Sequence, residues 1–408
     1  MTPLSRALFS QPSLLSTDFD QLGLPAFRTV SDALASDTSD DAFAVLYPAT
    51  LRATAMAFLD GFPGTTLYAV KANPHPAVLS ILWSAGVRDF DVASIREIDL
   101  VRSLCPDARL HLMHPVKSRQ TIWHAYASGV RDFAFDCLGE LEKILRETGG
   151  APDLHLHIRI AVPCGESRMP LEGKFGAQFG EGIRLIEVAR NKAARLGVAF
   201  HVGSQCVDPL AYIFPLEQIR RLIDEASLPI DIIDCGGGFP VSYPGMRSPP
   251  ISAFFSVISE TLSRLGLDHL EVRGEPGRAL SGPAGSTLAR VDLRKGSELY
   301  INDGIYGSLF DAGVHGWRYP VKRHRLEADQ SFDEEISAFG LYGPTCDSQD
   351  RMAGPFLLPN DIDEGDWIEF GHLGAYGQAM QSGFNGFRVE KTVAVFGETF
   401  GHDDLSQA

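Results

Sequence analysis

Between about residue 42 and residue 281 the chain alternates short apolar runs with longer stretches whose apolar residues recur every three or four positions. The runs are AFAVLYP, TLYAV, RDFDVAS, RLHLMH, DFAFD, LHLHIRIAV, VAFHVGS, IDIIDCGGGF and HLEVRGEPG. Segments 95–104, 119–128, 182–196 and 210–226 carry the helical spacing between them. Strands separated by helices lie parallel, because parallel neighbours need a crossover and a helix is the usual one. Eight or nine such repeats over about 240 residues suit a (β/α)8 TIM-type barrel of the α/β class better than an open doubly wound sheet.

After residue 281 the rhythm changes. STLARVDLRKG, SELYIND, ISAFGLYGPTC, DWIEFGHLGAY and FRVEKTVAVF are strand-like runs broken by Gly, Pro and Asp, without long helical segments between them. This pattern predicts an antiparallel β domain, sandwich- or barrel-like. Residues 1–41 are polar and rich in Ser and Asp, and are expected to lend that domain a strand. The expected organisation is therefore a barrel over 42–281 and a β domain made of 1–41 with 282–408. No low-complexity linker separates the two, so they are expected to pack together.

A chain of 408 residues, 44% hydrophobic and 22% charged, can bury a large core. Its net charge of −16 argues against nucleic acid as a partner, since a phosphate-binding surface needs excess Lys and Arg. Cys105, Cys137, Cys164, Cys206, Cys235 and Cys346 are widely spread and form no CxxC pair, so reduced thiols and a cytoplasmic location are expected. The N-terminal stretch lacks the basic start and apolar segment of a signal peptide, and no run approaches the ~20 apolar residues of a membrane span. His155 and His157 share one face of a strand without a carboxylate or cysteine at ligand spacing. Polar packing inside the barrel is expected of them, and no metal site.

In a barrel of this type the functional residues sit where strands end. Lys71 follows TLYAV, Asp91 lies in FDVAS, Arg159 in HIRIAV, and His201 and Ser204 in FHVGSQ. Gly236, Gly237 and Gly238 follow IIDC, and Glu275, Gly277 and Arg278 follow EVRG. Each alone is ordinary: a solvated lysine, a structural histidine, a turn. Together they describe an amine, a glycine turn able to present bare N–H groups to a phosphate, and a guanidinium for the same anion. An aromatic aldehyde with a phosphate tail would use all of them, and pyridoxal 5′-phosphate (PLP) is such a molecule. CGGGFP does not match GxGxxG and no P-loop is present, which weakens nucleotide readings.

YAVKANP, FDVAS, KFGA, FHVGSQ, DCGGGFP, GEPGR, NDGIYGS, GPTCDSQD, GAY and FNGF follow one another along nearly the whole chain. In this order they resemble the fold-type III, alanine racemase-like PLP-dependent decarboxylases. Within that group the chain is most similar to the eukaryotic-type ornithine decarboxylases and the bacterial ornithine/lysine decarboxylases. The resemblance implies a homodimer with shared active sites, each completed by the β domain. It implies that Lys71 bonds to the cofactor aldehyde, that His201 stacks on the ring and that Glu275 pairs with the pyridine nitrogen. Ser204, Gly236, Gly237, Gly238, Arg278 and Tyr376 would hold the phosphate, Gly277 would also border the cofactor, and Asp91 and Arg159 would lie around the lysine and ring. Cys346 would return a proton to the substrate carbon across the dimer interface. Asp347 would read a distal amine of the substrate, and Phe384 would wall it.

One departure bears on the substrate. In the ornithine enzymes a Tyr-Asp pair shortly after NDG…YGS supplies a second carboxylate for the distal amine. Here residues 309–320 read LFDAGVHGWRYP, and His315 stands nearest the acid's position. The expected activity is decarboxylation of an ornithine- or lysine-like amino acid to an amine and carbon dioxide, as in polyamine biosynthesis. A different or modified amino acid, with Arg318 near its far end, is the alternative. A racemase of the same fold would place an arginine where Glu275 stands, and a non-catalytic regulatory homologue would be expected to lose Lys71, Glu275 or Cys346.

Overall fold

The computed structural model describes residues 23–401 apart from 38, 164, 166, 170–172 and 327–334. Residues 1–22 and 402–408 of the expected β domain, and Cys164, lie outside the described residues. The chain divides into two compact units. One holds Ala55–Pro240 and Ser248–Ala279; the other holds the described residues up to Thr54, Val241–Arg247 and the described residues from Leu280 onward.

The first unit is a closed, all-parallel barrel of eight strands. They are β1 (Thr65–Ala69), β2 (Asp89–Asp91), β3 (Arg109–Leu112), β4 (Asp132–Phe135), β5 (His155–Arg159), β6 (Arg195–Ala199), β7 (Ile232–Asp234) and β8 (Glu271–Gly274). β8 pairs with β1 through Arg273↔Thr65 and Gly274↔Thr66, which closes the ring. Helices alternate with the strands, and their starts are written in the sequence. Ser94 accepts from the Glu97 N–H to cap Ile95–Leu104, and Ser118 accepts from the Thr121 N–H to cap Arg119–Ala127.

Polar side chains fill part of the barrel interior. Asp132 on β4 accepts from Arg273 on β8 at 2.6 Å and lies 2.8 Å from His157 Nε2 and 3.3 Å from His155 Nδ1. His111 on β3 contacts Asp89 on β2 at 2.8 Å. The two histidines of LHLHIRIAV thus serve an ion network, as interior polar packing requires.

The second unit is a nine-stranded sheet among the described residues. Its path runs Ala26–Phe27, Thr392–Val395, Phe43–Leu46, Gly285–Lys295, Glu298–Ile301, Ile336–Tyr342 and Arg351–Pro359. Trp367–Phe370 also pairs with Gly285–Lys295, and Val321–His324 pairs with Trp367–Phe370. The centre is antiparallel. Three pairings are parallel: Ala26–Phe27 with Thr392–Val395, that strand with Phe43–Leu46, and Glu298–Ile301 with Ile336–Tyr342.

Phe43–Leu46 corrects the expectation that residue 42 opens the barrel. This strand lies between Thr392–Val395 and Gly285–Lys295 in the sheet, with all four residues buried. An apolar run covered on both faces has the same pattern in a barrel and in a sheet core, so periodicity could not separate the two. Phe43, Val45 and Tyr47 pack with Val30, Leu288, Trp367, Val393 and Val395.

Candidate active site

At the C-terminal ends of the barrel strands the structure brings together the residues that the sequence placed there. β1 ends at Ala69, a short 3-10 turn follows, and Lys71 stands in it with its side chain about half exposed. Register pairs Ala69 with Asp91, the last residue of β2, and Lys71 Nζ lies 3.1 Å from Asp91 Oδ2. Asp91 therefore pairs with the lysine. Arg159 ends β5 and is half-buried.

His201 follows β6. Its Nδ1 accepts from the Gly203 N–H at 3.0 Å, which leaves Nε2 to carry the proton of the neutral ring. Burial, and then the charges of Arg159 and Lys71, hold its pKa well below the ordinary value, so the ring is uncharged. Ser204 opens a two-stranded ribbon by pairing with Met169.

The glycine turn is built so that no side chain could replace it. Gly236 has φ 65° and Gly238 φ 103°. A Cβ on Gly236 would meet the Phe200 carbonyl at 2.1 Å, and one on Gly238 the Gly203 carbonyl at 2.6 Å. A Cβ on Gly237 would lie 2.7 Å from the Glu275 carbonyl oxygen and 3.0 Å from His201 Nε2. The Gly236 N–H donates to Asp234 Oδ1 at 2.8 Å, so the turn offers an anion the N–H groups of Gly237 and Gly238. Tyr212 Oη donates to the Gly237 carbonyl at 2.9 Å, and its ring stacks 5.4 Å from that of Phe239, which anchors the turn from below.

Glu275 follows β8, and its N–H donates to the Gly236 carbonyl at 2.8 Å. Its carboxyl is buried, and burial pushes its pKa well above the usual carboxylate range. The nearby acids Asp234 and Asp91 add to this, against the pull of Lys71 and Arg159. Gly277 packs so closely that a Cβ would meet Ala72 Cβ at 2.8 Å, and Arg278 is buried beside it. Asp234 was missed in the sequence. It is fully buried at the end of β7, and its Oδ2 has no hydrogen-bond partner among the described residues. Its position directly before CGGG was the available signal.

The sheet unit carries the other candidates. Cys346 and Asp347 lie in the turn between Ile336–Tyr342 and Arg351–Pro359. Tyr306 Oη donates to Asp347 Oδ2 at 2.5 Å, and the Gln349 N–H donates to Asp347 Oδ1 at 2.9 Å. The Tyr306 hydrogen bond holds the Asp347 carboxyl below its ordinary range and thus ionised. The Phe384 ring lies 4.9 Å from that of Tyr306. Asn385 Oδ1 accepts from the Cys346 N–H and from its Sγ. Tyr306 and Asn385 stand within NDGIYGS and FNGF, where spacing alone does not mark them as partners of Asp347 and Cys346. His315 is exposed just after the helix Phe310–Val314, its ring 5.9 Å from that of Phe310. Asp311 in the same helix is buried. Tyr376 holds the left-handed backbone at φ 64°, a conformation a non-glycine residue adopts only under constraint.

A glycine cradle closed to side chains, a strand-end amine paired with a carboxylate, and a buried acid of raised pKa make a donor set that fits PLP. Residues 49–282 match the family described as "Pyridoxal-dependent decarboxylase, pyridoxal binding domain". The chain belongs to the pyridoxal-dependent decarboxylases.

Relatives of the decarboxylase agree with this membership. Lysine/ornithine decarboxylase of Selenomonas ruminantium is 33% identical over 335 residues, 80% of this chain and 82% of that protein. Antizyme inhibitor 2 of Xenopus laevis is 32% identical over 386 residues, 86% of this chain and 81% of that protein. The structure of lysine/ornithine decarboxylase from Vibrio vulnificus complexed with putrescine is similar with a TM-score of 0.76 and 31% identity, covering 90% of this chain and 99% of that one. The protein is a PLP-dependent amino-acid decarboxylase with a TIM-type barrel and a C-terminal antiparallel sheet domain. No helix among the described residues is long and apolar enough to cross a membrane.

Proposed function

We propose that this decarboxylase acts on an amino acid with a distal amine, of the ornithine and lysine kind, and releases a diamine and carbon dioxide. The observation that carries this reading is the Asp347 carboxylate, ionised and held by Tyr306 directly beside Cys346. An ammonium taken out of water needs such a partner, or its binding is lost to desolvation. Relatives named for lysine and ornithine, one of them complexed with putrescine, support the same substrate class. We place the reaction in the cytoplasm and in the formation of polyamines, and we take the working form to be a homodimer.

PLP, when bound, supplies an electron sink for the pair left behind as the carboxylate departs. In our reading Lys71 would carry it, the N–H groups of the glycine turn, Ser204, Arg278 and Tyr376 would hold its phosphate, and Gly277 would border it. Neutral His201 would stack on the ring without adding charge to it. Glu275 would pair with the pyridine nitrogen and share a proton with it, and burial, which raises the carboxyl's proton affinity, would strengthen that hydrogen bond. Asp91 orients the Lys71 amine. Cys346 gives its thiol proton to the substrate α-carbon, Asp347 orients the distal amine, and Phe384 covers the substrate.

The test is carbon dioxide and amine release from ornithine, lysine, arginine, diaminopimelate and uncharged amino acids in both enantiomers, with Lys71→Ala as control. Release from a diamino acid that Asp347→Ala abolishes supports the reading. Full turnover of ornithine or lysine by Asp347→Ala defeats it and turns attention to His315 and Arg318. The homodimer is tested by mixing Lys71→Ala with Cys346→Ala: activity that neither variant has alone shows shared sites.

The similarity to antizyme inhibitor 2 motivates a second, non-catalytic reading. Lys71, Glu275 and Cys346 are all present, which favours catalysis. A yellow protein bleached by borohydride has its cofactor bonded, whereas a colourless one supports the second reading.

A further inference from the structure

We propose that Asn385 is a positioning residue that holds Cys346 ready as a proton donor; this rests on the reading of Cys346 given above. The Asn385 Oδ1 accepts two hydrogen bonds from one residue, from the Cys346 N–H at 3.3 Å and from Sγ at 3.4 Å. An amide oxygen only accepts, so the contact with sulfur exists only while the thiol carries its proton. The N–H contact fixes the backbone of Cys346 and the Sγ contact fixes the direction of its S–H. One side chain thus sets both the place of the thiol and the direction of its S–H.

The backbone of Asn385 is itself specified. It adopts φ 55°, ψ 11°, the left-handed region, with Gly383 at φ 72° and Gly386 at φ 85° around it. Asn is among the few side-chain-bearing residues that enter this region readily. Gly386 N–H to Gly383 carbonyl at 3.1 Å and Phe387 N–H to Phe384 carbonyl at 3.2 Å close the turn. The same turn presents Phe384 to Tyr306, whose hydroxyl binds Asp347. Residues 384 and 385 therefore brace the two neighbours Cys346 and Asp347 from one turn.

In the step concerned, the bond from the α-carbon to the carboxylate breaks and carbon dioxide leaves. The bonding pair remains behind, the Cys346 thiol gives its proton to the α-carbon, and a proton from water restores the thiol. A thiol that is present but misdirected would let the pair take its proton at another carbon, and that route, after water is added, would end in a carbonyl compound in place of the amine, with the substrate's amino nitrogen left on the cofactor in place of its aldehyde oxygen. Amine formed per carbon dioxide released is therefore a direct reading of the thiol's aim, and a general loss of fold does not change it.

The experiment compares Asn385→Gly, which keeps the left-handed backbone and removes the acceptor, with Asn385→Asp, which keeps both. In the holoenzyme Asn385→Gly is expected to drop amine per carbon dioxide below one and to lower kcat about ten-fold. KM is expected to stay within about two-fold. Asn385→Asp is expected to restore the one-to-one yield. Independently of turnover, the infrared S–H stretch assigned by its loss in Cys346→Ala is expected to rise in frequency in Asn385→Gly and to stay low in Asn385→Asp. One-to-one yield and an unmoved S–H band in Asn385→Gly would overturn the proposal while Cys346→Ala still loses amine. A Cys346→Ala enzyme with full rate and one-to-one yield would instead overturn the reading of Cys346, and the role of Asn385 with it.

Discussion

Lys71 and Asp91 meet at 3.1 Å because β1 and β2 are neighbours in register: Ala69 faces Asp91, and the lysine stands two residues beyond the pairing. The carboxylate is buried while the amine is half exposed. Asp91 is thus the fixed partner and Lys71 the group that can move. Asp91→Asn removes the charge that orients the amine. The expected result is a kcat about ten- to a hundred-fold lower, with slower uptake of PLP by the apoprotein, followed by turnover and by cofactor absorbance.

The glycine turn makes a steric prediction. Gly237→Ala would bring a Cβ to 2.7 Å from the Glu275 carbonyl, a backbone atom that cannot yield without moving the end of β8. Expected are a PLP affinity weaker by at least about ten-fold and a destabilisation of about 1–3 kcal/mol, read by cofactor titration and by thermal unfolding of the apoprotein. A holoenzyme of unchanged affinity would show that the turn does not face the cofactor.

Tyr306→Phe tests the substrate reader. It removes the hydrogen bond to Asp347 Oδ2 and keeps the ring against Phe384. KM for the diamino acid is expected to rise roughly three- to ten-fold, while kcat is retained. A fall in kcat with unchanged KM would assign Tyr306 to the chemistry.

The barrel interior predicts a pH dependence of stability. Burial opposes charge on His111, but the charge of Asp132 and the hydrogen bonds to Asp132 and Asp89 outweigh it and raise its pKa to about 9. A folded value above the ordinary 6.5 means that the stabilisation is complete below pH 6.5 and is lost as pH rises through about 9. Buried Lys117 works in the opposite sense, its pKa lowered by burial to about 8 despite Glu140. The comparison is therefore made between wild type and His111→Gln, where Lys117 cancels. The Tm gap between them should be widest near pH 6 and narrow by pH 10. A gap independent of pH would show that His111 is uncharged in the fold.

Much of the fold was written locally. Apolar runs ending in polar residues put Lys71, Asp91, Arg159, His201 and Glu275 at strand ends without reference to any contact, because the C-terminal ends of barrel strands are where polar functional groups are placed. The glycines of CGGG were equally legible, since each of the three would lose its place to a Cβ. Spacing, however, carries no information about what lies across a turn. Asp234 reads as the end of an apolar run until the Gly236 N–H is seen to donate to it.

What the sequence by itself determined is the alternation that makes a parallel barrel, the change of rhythm that makes a sheet unit, and the amine, glycine turn and guanidinium that suit a phosphorylated aromatic aldehyde. These follow from properties each segment carries alone. Only the tertiary structure decided that Phe43–Leu46 belongs to the sheet, since an apolar run buried on both faces has no preference between two cores. It alone joined Tyr306 to Asp347, 41 residues away, and Asn385 to Cys346, 39 residues away. Side chains so far apart along the chain meet only when packing has brought their turns together.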